Sequence, residues 1–500
     1  MKLPQSLRNW ISIIGASIAL LNFVFIIFLL LITFIFDVGS SYVGLFIYII
    51  LPFFLITGLL LIPIGMYACK RKIKKREKTV KLTDWPIIDF NNIGTRNATI
   101  IFSVGTIVLL IFSAVGSYEA FHYTESVEFC GKLCHTVMEP EYVAYYESSH
   151  ERVSCVECHV GNGADWYVKS KMSGLYQVYS VLAKKYPTPI PTPIHNLRPA
   201  QQTCEQCHWP EKFYDRKLHV KRSYIADEGN TEWDIHMLMK TSADHSAQGI
   251  TEGIHWHINP DVKIEYIATD EKRENIPWIK YTNLKTGEIS VYEDAGIKLS
   301  STLLDSLETR TMDCLDCHNR PSHDYKVPQN FIDAYIASGA ISKDLPDIKS
   351  LTMGILVEDF PTTDSAFASI KTQINEYYEI MYPELLESKK QDINNAIASV
   401  QEGYSKNFFP LMKVKWSEYP NHLGHLETDG CYRCHNNRHS TSQGKVISRD
   451  CNLCHNITAQ GTSDNMEISN LNEHLEFKHP ININQVWQIE LCSSCHNQLY

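Results

Sequence analysis

Past residue 122 the sequence has almost no long apolar run, and positive charge is in short supply. Residues 1–121 hold 11 basic and 5 acidic side chains out of 46 Lys+Arg and 56 Asp+Glu, so 35 basic and 51 acidic ones remain, a balance of −16 for residues 122–500. This excludes a nucleic-acid binder driven by phosphate neutralisation, and no nucleic-acid partner is expected. The two long stretches between cysteine motifs hold no Gly-rich phosphate loop, no Ser/His/Asp arrangement and no paired-carboxylate signature. What abounds is cysteine and histidine: 15 Cys and 21 His in 500 residues, which argues for metal or cofactor chemistry. A chain of this length exceeds what one core usually serves, so a membrane segment plus at least one large soluble domain is expected.

The long apolar runs concentrate before residue 122. Residues 11–36 and 42–68 contain no charged side chain, and a third run, 98–117, has about the 20 residues a span requires. All three are read as transmembrane helices. The connection 69–96 carries Lys70, Arg71, Lys72, Lys74, Lys75, Arg76, Lys78 and Lys81, whereas 37–41 has no Lys or Arg. The basic loop therefore faces the cytoplasm, with Lys2 and Arg8, and everything after about residue 120 emerges in the periplasm of a bacterial inner membrane. The first helix is too long for a signal-peptide core and should stay as an anchor in the lipid bilayer.

Beyond the third span one pattern recurs: Cys155-Val-Glu-Cys158-His159, Cys204-Glu-Gln-Cys207-His208, Cys314-Leu-Asp-Cys317-His318, Cys431-Tyr-Arg-Cys434-His435, Cys451-Asn-Leu-Cys454-His455 and Cys492-Ser-Ser-Cys495-His496. A seventh copy, Cys130-Gly-Lys-Leu-Cys134-His135, is one residue longer. Composition alone would produce about 0.02 strict copies in such a chain, so six are not accidental. The spacing suits covalent haem c: two thiols form thioethers with the porphyrin, and the following His is delivered beneath the iron. Zinc accepts Cys pairs but gives no reason for a His after every second Cys, and redox CxxC motifs do not come seven to a chain. Seven covalently attached haems are expected, using fourteen thiols and leaving Cys69 on the cytoplasmic side.

Fourteen other histidines could supply distal ligands. His150 precedes the second motif by five residues, His195 follows a Pro-rich run, and His323, His425 and His439 flank the fourth and fifth motifs. His219, His257 and His479 complete the candidate set. Met138, three residues after His135, is a candidate at the first iron, with core packing or surface exposure as the alternatives. A Met ligand would raise that haem's potential relative to bis-His ligation.

The fold class expected is mainly α and irregular: three transmembrane helices, then a periplasmic multihaem c domain with a small β insertion and a helical insertion. The boundaries read as a membrane domain 1–121, a haem domain 122–215 with sites one to three, a β-containing insert 216–325 ending in the fourth site, a helical insert 326–420, and a C-terminal cluster 421–500 with the last three sites. Short helices and loops should dominate around 122–208, and 186–199, with five prolines, should be an extended polyproline strap. Residues 262–294 alternate like strands around a hairpin at 283–287. Segments 350–356 and 365–400 have helical periodicity and suggest a helical pair, with Phe367, Ile370, Ile374, Tyr377, Tyr378 and Met381 as core.

An anchor helix leading into CGKLCHTVM, followed by SSHERVSCVECHVG and KSKMSGLY, resembles the NapC/NirT family of membrane-anchored multihaem quinol dehydrogenases across about residues 97–210. The whole layout is similar to heptahaem inner-membrane cytochromes that start extracellular electron export. The resemblance implies that quinol from the membrane pool is the substrate, docking at the first haem and releasing its protons there. The other haems would carry charge to a periplasmic c-type cytochrome or reductase. The family's first motif, CxxCHxM, gains a residue here between the cysteines and another before Met138. Lys171 matches the family's quinol-site lysine, with a solvated helix-face charge as the alternative. Asp165, Glu139 and Glu141 stand in for the family's partner carboxylate.

The leading expectation is a quinol-oxidising electron-transfer protein, compatible with a homo-oligomer. A periplasmic multihaem terminal reductase of a small nitrogen or sulfur oxyanion is the alternative, weakened by the absence of a CxxCK motif; a scaffold or electron reservoir is the third reading.

Overall fold

The computed structural model describes residues 9–36, 47, 50–76, 89–133, 135–160, 164–194, 198–210, 213, 216–243, 253–297, 299–300, 304, 306–470 and 473–497. The chain divides into two compact units, residues 1–135 with 154–156, and residues 136–153 with 157–500.

The first unit is built on helices α1 (Trp10–Phe36), α2 (Leu51–Arg76) and α3 (Ile93–Glu125), followed by the short α4 (Val127–Lys132). Each long helix contains a segment apolar enough to cross a membrane: Trp10–Leu29, Leu51–Cys69 and Thr99–Glu125. The first part of the expected second span, 42–46 and 48–49, lies outside the described residues. The third helix outruns the expected 98–117. No Pro interrupts the polar continuation, and Ser126 breaks it by capping α4, its side chain accepting from Phe129 N at 3.1 Å. Small residues bring α1 and α2 into backbone contact: a Cβ on Gly15 would stand 2.6 Å from the Gly58 carbonyl oxygen, and one on Gly58 2.7 Å from Ala19 N. Ser12 Oγ adds an interhelical hydrogen bond to the Ile62 carbonyl at 2.9 Å.

In the haem-motif region the helices are α5 (His135–Tyr146), α6 (Cys155–His159) and α7 (Ala164–Leu182); α6 is short as expected, while α5 and α7 are longer. The Pro-rich segment is non-helical up to residue 194 but is not a continuous polyproline helix, because the Thr188–Pro189 and Thr192–Pro193 bonds are cis. It is strapped down at its centre: Tyr419 Oη donates to the Ile190 carbonyl at 2.7 Å, and Arg320 Nη2 to Thr192 Oγ1 at 2.9 Å.

Among the described residues nine strands follow: β1 (Arg216–Tyr224), β2 (Glu232–Lys240), β3 (Val262–Ile267), β4 (Trp278–Asn283), β5 (Ile289–Asp294), β6 (Thr309–Thr311), β7 (His439–Ser440), β8 (His455–Thr462) and β9 (Asn465–Ile468). They form two antiparallel sheets, β1-β2-β8-β9 and β6-β3-β4-β5-β7. The second contains the expected meander, in register Ile264↔Tyr281 and Tyr281↔Ser290, and its hairpin closes where Gly287, at φ 74°, donates to the Asn283 carbonyl at 2.8 Å. The first sheet has no counterpart in the sequence reading; it pairs β2 with β8, Asp234 opposite Gly461.

Helices α8 (Cys314–Cys317), α9 (Pro328–Ala337), α10 (Ile348–Leu356), α11 (Thr363–Met381) and α12 (Lys390–Asn407) complete the framework. The expected 365–400 helix is two helices, since Pro383 cannot continue the first. Ile370, Ile374 and Tyr378 are fully buried beside Ile332, Ile348 and Val400, with Phe367 and Tyr377 packed against them. Met381, expected in the core, is exposed at the helix's last position. Gly403 lets α12 close on α9: a Cβ there would lie 2.5 Å from the Phe331 ring.

A buried ion pair joins this helical core to the first sheet. Lys349 Nζ is bound to Asp333 Oδ1, both residues about 5% exposed or less, and the same oxygen accepts from Tyr224 N at 3.3 Å. Burial raises the Asp333 pKa and lowers that of Lys349, so each ion depends on the other. Lys349→Met is therefore expected to destabilise the protein by about 3–5 kcal/mol in denaturant unfolding, because it strands a carboxylate, while adding Asp333→Leu should recover most of the loss. Equal stability of the single and double variants would refute the pairing.

Candidate haem-binding site

Five motifs sit on single helical turns, which explains their spacing, whereas in Cys451–His455 the cysteines flank a 3₁₀ turn and His455 opens β8. The motif imidazole residue returns its backbone N–H to the carbonyl of the first cysteine: His208 to Cys204 (2.8 Å), His318 to Cys314 (2.8 Å), His435 to Cys431 (3.0 Å) and His496 to Cys492 (3.0 Å). An i→i+4 bond of this kind places both thiols and the imidazole on one turn. Burial pushes the Cys314 and Cys434 thiols up to about 11 and those of Cys317 and Cys454 up to about 12. In the first unit the Cys155 thiol is hydrogen-bonded to that of Cys130, which lowers it to about 7 and brings the first two motifs together.

Six imidazole pairs follow from the fold, each joining one motif His to one outside the motifs. Ring centroids are 6.2 Å apart for His159 and His323, 6.1 Å for His208 and His150, 6.3 Å for His318 and His255, 5.9 Å for His435 and His257, 6.2 Å for His455 and His425, and 6.2 Å for His496 and His479. Metal–imidazole bonds of about 2.0 Å on opposite sides of one ion, with about 1.1 Å from each nitrogen to its ring centre, separate two centroids by about 6 Å. Among the described residues no group of three or more His, Cys, Asp or Glu side chains could hold a bare metal ion. A pair of facing imidazoles with nothing at the equator fits an iron whose other four ligands come from a porphyrin.

Four of the six outer imidazoles are held in the tautomer that ligation needs. A carbonyl only accepts, so Nδ1 must carry the proton in His255 to Thr241 O (2.7 Å), His257 to Ile254 O (2.8 Å), His150 to Pro321 O (3.0 Å) and His323 to Glu141 O (3.1 Å). This leaves Nε2 as the lone-pair donor. Burial lowers the pKa of His159, His255, His257, His318, His435, His455 and His496 and takes His323 and His425 down to about 4, so the rings are neutral. Five of the six pairs open onto one cavity of about 2300 Å³, along with Trp233, whose Nε1 is buried without a hydrogen-bond partner, an atom that a porphyrin carboxylate could satisfy.

The fold thus brings His150, His257, His323, His425 and His479 opposite motif imidazoles. His255 was not among the sequence candidates; its signal is the His-x-His spacing of Ile254–Ile258, a 3₁₀ turn that sends alternate residues in different directions, so one turn faces two motifs. Gly253 makes that turn possible, at φ 124°, where a Cβ would strike the Ser242 carbonyl. His439 has both ring nitrogens engaged, Nδ1 with Asn436 Oδ1 (3.0 Å) and Nε2 with the Ile276 carbonyl (2.6 Å). His219 lies exposed on β1 opposite Met237. Met138 is half-buried, Glu139 exposed and Lys171 half-buried on α7. Cys134, His195 and the side chains of His135 and Asp165 lie outside the described residues. Glu141 is half-buried with its Oε2 enclosed, and desolvation raises its pKa.

Neighbouring motifs are also bonded to one another. Arg433, inside the fifth motif, donates from Nη2 to the carbonyl of Asp316 in the fourth (2.7 Å). The Asp316 carboxylate accepts from Tyr266 (2.6 Å), Arg310 (2.7 Å) and Arg273 (3.0 Å). Tyr432, next to Arg433, stacks on His425 at 4.3 Å.

The family model for the N-terminal region of the NapC/NirT cytochrome c family matches residues 93–202. The chain is 43% identical over 490 residues to the cytochrome c-type protein ImcH of Geobacter sulfurreducens, covering 98% of this chain and 95% of that protein. It is 32% identical over 97 residues to the cytochrome c-type protein NrfH of Wolinella succinogenes, covering 19% of this chain and 54% of that one. No solved structure matches.

His422 adds a pH dependence to this region. It is 4% exposed, its Nδ1 donates to the Asp316 carbonyl at 3.2 Å, and burial, followed by the Arg433 charge, lowers its pKa to about 3. The unfolded imidazole takes a proton below about 6.5 and the folded one only near 3, so stability is lost as pH falls through that window. In chemical denaturation at pH 7 and pH 5, His422→Gln should lose less stability between the two pH values than the parent; identical losses would refute the assignment.

Proposed function

This chain belongs to the NapC/NirT cytochrome c family, as a near full-length relative of ImcH, and from that premise we propose that it is a seven-haem carrier that oxidises quinol and passes electrons to a periplasmic acceptor. The six facing imidazole pairs, five on one cavity, carry the reading. His159 with His323, His208 with His150, His318 with His255, His435 with His257, His455 with His425 and His496 with His479 would ligate six irons, and the cysteines of each motif would hold the porphyrins. His135 would serve the seventh, with Met138 as its candidate partner. His255 replaces His439 in the ligand set, because His439 has no nitrogen to spare.

Bound in these places, haem supplies a reversible one-electron iron couple whose potential is set by its axial ligands. Two imidazole ligands per site would leave no position for a substrate, which favours transfer over oxyanion reduction at these six. The quinol reading rests on the resemblance across residues 97–210: Lys171 would donate to a quinone oxygen, and Asp165, Glu139 or Glu141 would take the protons. Burial holds the Glu141 carboxyl above the usual carboxylate range, which suits a group that has to accept one. The balance of −16 over residues 122–500 would steer an acceptor with a positive patch, a c-type cytochrome or reductase.

In liposomes, menaquinol is expected to reduce the haems, and Lys171→Gln to slow this by at least about 10-fold with haem content unchanged. Reduction by a soluble donor but not by menaquinol would sink the quinol reading. Separately, Gly253→Val should convert two low-spin irons to high-spin in electron paramagnetic resonance, since one turn carries His255 and His257. An unchanged low-spin count would remove both from the ligand set.

A further inference from the structure

We propose that helix α7 lies in the headgroup region of a lipid bilayer with its apolar face towards the acyl chains, so that the haem-bearing unit makes a lipid contact of its own. The proposal does not rest on the quinol reading.

The helix is held at its last turn, and residues 172–173, 175–179 and 182 are exposed. Ser180 is buried, and Val181 packs against the cluster of Val137, Phe409 and Tyr419. Met172, Leu175, Tyr176, Tyr179 and Leu182 are 63, 66, 65, 50 and 80% exposed. At about 100° per residue these five fall within an arc of about 120°, the width of face that a helix normally buries. None of them lines the cavity of the paired histidines.

The borders of the arc argue for lipid. On the same wheel Lys169 lies just beyond Tyr176, and Lys171 just beyond Leu182, one cation on each shoulder. Lys184 and Lys185 follow the helix, and Lys185 Nζ donates to Tyr179 Oη at 2.9 Å. This local positive charge stands against the acidic balance of residues 122–500 and complements anionic headgroups. Apolar residues and tyrosines between snorkelling lysines are the composition of an interfacial helix. Only residues 126–163 separate the helix from α3, one of the three helices able to span a membrane, so the tether keeps the local concentration of lipid high.

The test uses the full-length holoprotein in nanodiscs containing phosphatidylglycerol, in a Cys69→Ser background. Nitroxides are placed at Leu175→Cys, Leu182→Cys and, on the opposite side of the helix, Gln177→Cys. Power saturation with oxygen and with a water-soluble nickel chelate reads depth; haem content and absorption spectra check each variant's fold. The expected oxygen-to-nickel ratio at 175 and 182 is several-fold above that at 177. Equal ratios at all three positions would mean a face open to water. Exclusion of both reagents at 175 and 182 would mean a face covered by protein or porphyrin. Either result overturns the proposal.

Discussion

Two imidazoles can share one ion only when their ligating nitrogens face each other about 4 Å apart, a tolerance of a few tenths of an ångström that no local conformation supplies. Facing imidazoles with ring centroids 5.9 to 6.3 Å apart recur six times among the described residues, between residues 17 (His479 and His496) to 178 (His257 and His435) positions apart in the chain. Three outer rings are aimed by carbonyls from elsewhere in the chain: that of Pro321 for His150, that of Glu141 for His323 and that of Thr241 for His255. The inserts are the means of delivery. The segment between β2 and β3 carries the two-faced Ile254–Ile258 turn, and the helical core, through Asp333 and Lys349, fixes the edge of the sheet beside it.

What was legible in the sequence is what is local. The motif spacing corresponds to a helical turn, so the motifs could be read directly, and apolar runs without charge marked the three helices. The outer ligands are non-local. Proximity to a motif pointed to His150, His323 and His425, yet by the same logic it pointed to His439, whose nitrogens hold β7 in its sheet. His255, 59 residues ahead of the nearest downstream motif, had no such neighbour. The strands β1 and β2 were missed because both faces of RKLHVKRSY and EWDIHMLMK mix polar with apolar residues, so no clean alternation shows. The helical core was legible because Ile370, Ile374 and Tyr378 repeat on one face; only Met381, past the reach of the packed stripe, departs from it.

The variable positions inside the motifs have structural work of their own. Asp316, Tyr432 and Arg433 are spacers in the attachment pattern, but they tie the fourth motif to the fifth and the fifth to the ring opposite the sixth. Three arginine and tyrosine donors converge on one buried carboxylate there, so the separation between neighbouring motifs is set by charge-assisted hydrogen bonds rather than by loops.

The first sheet places β8 between β2 and β9, with Asp234 opposite Gly461. A ribosome must therefore finish more than nine-tenths of the polypeptide before the edge of β2 acquires its neighbour. Until then β1 and β2 form a two-stranded ribbon with an open flank, a form that is marginal in water and prone to pair with the wrong strand. Assembly of this part of the molecule is consequently a late, long-range closure, and truncation near the carboxyl end is felt more than two hundred residues upstream.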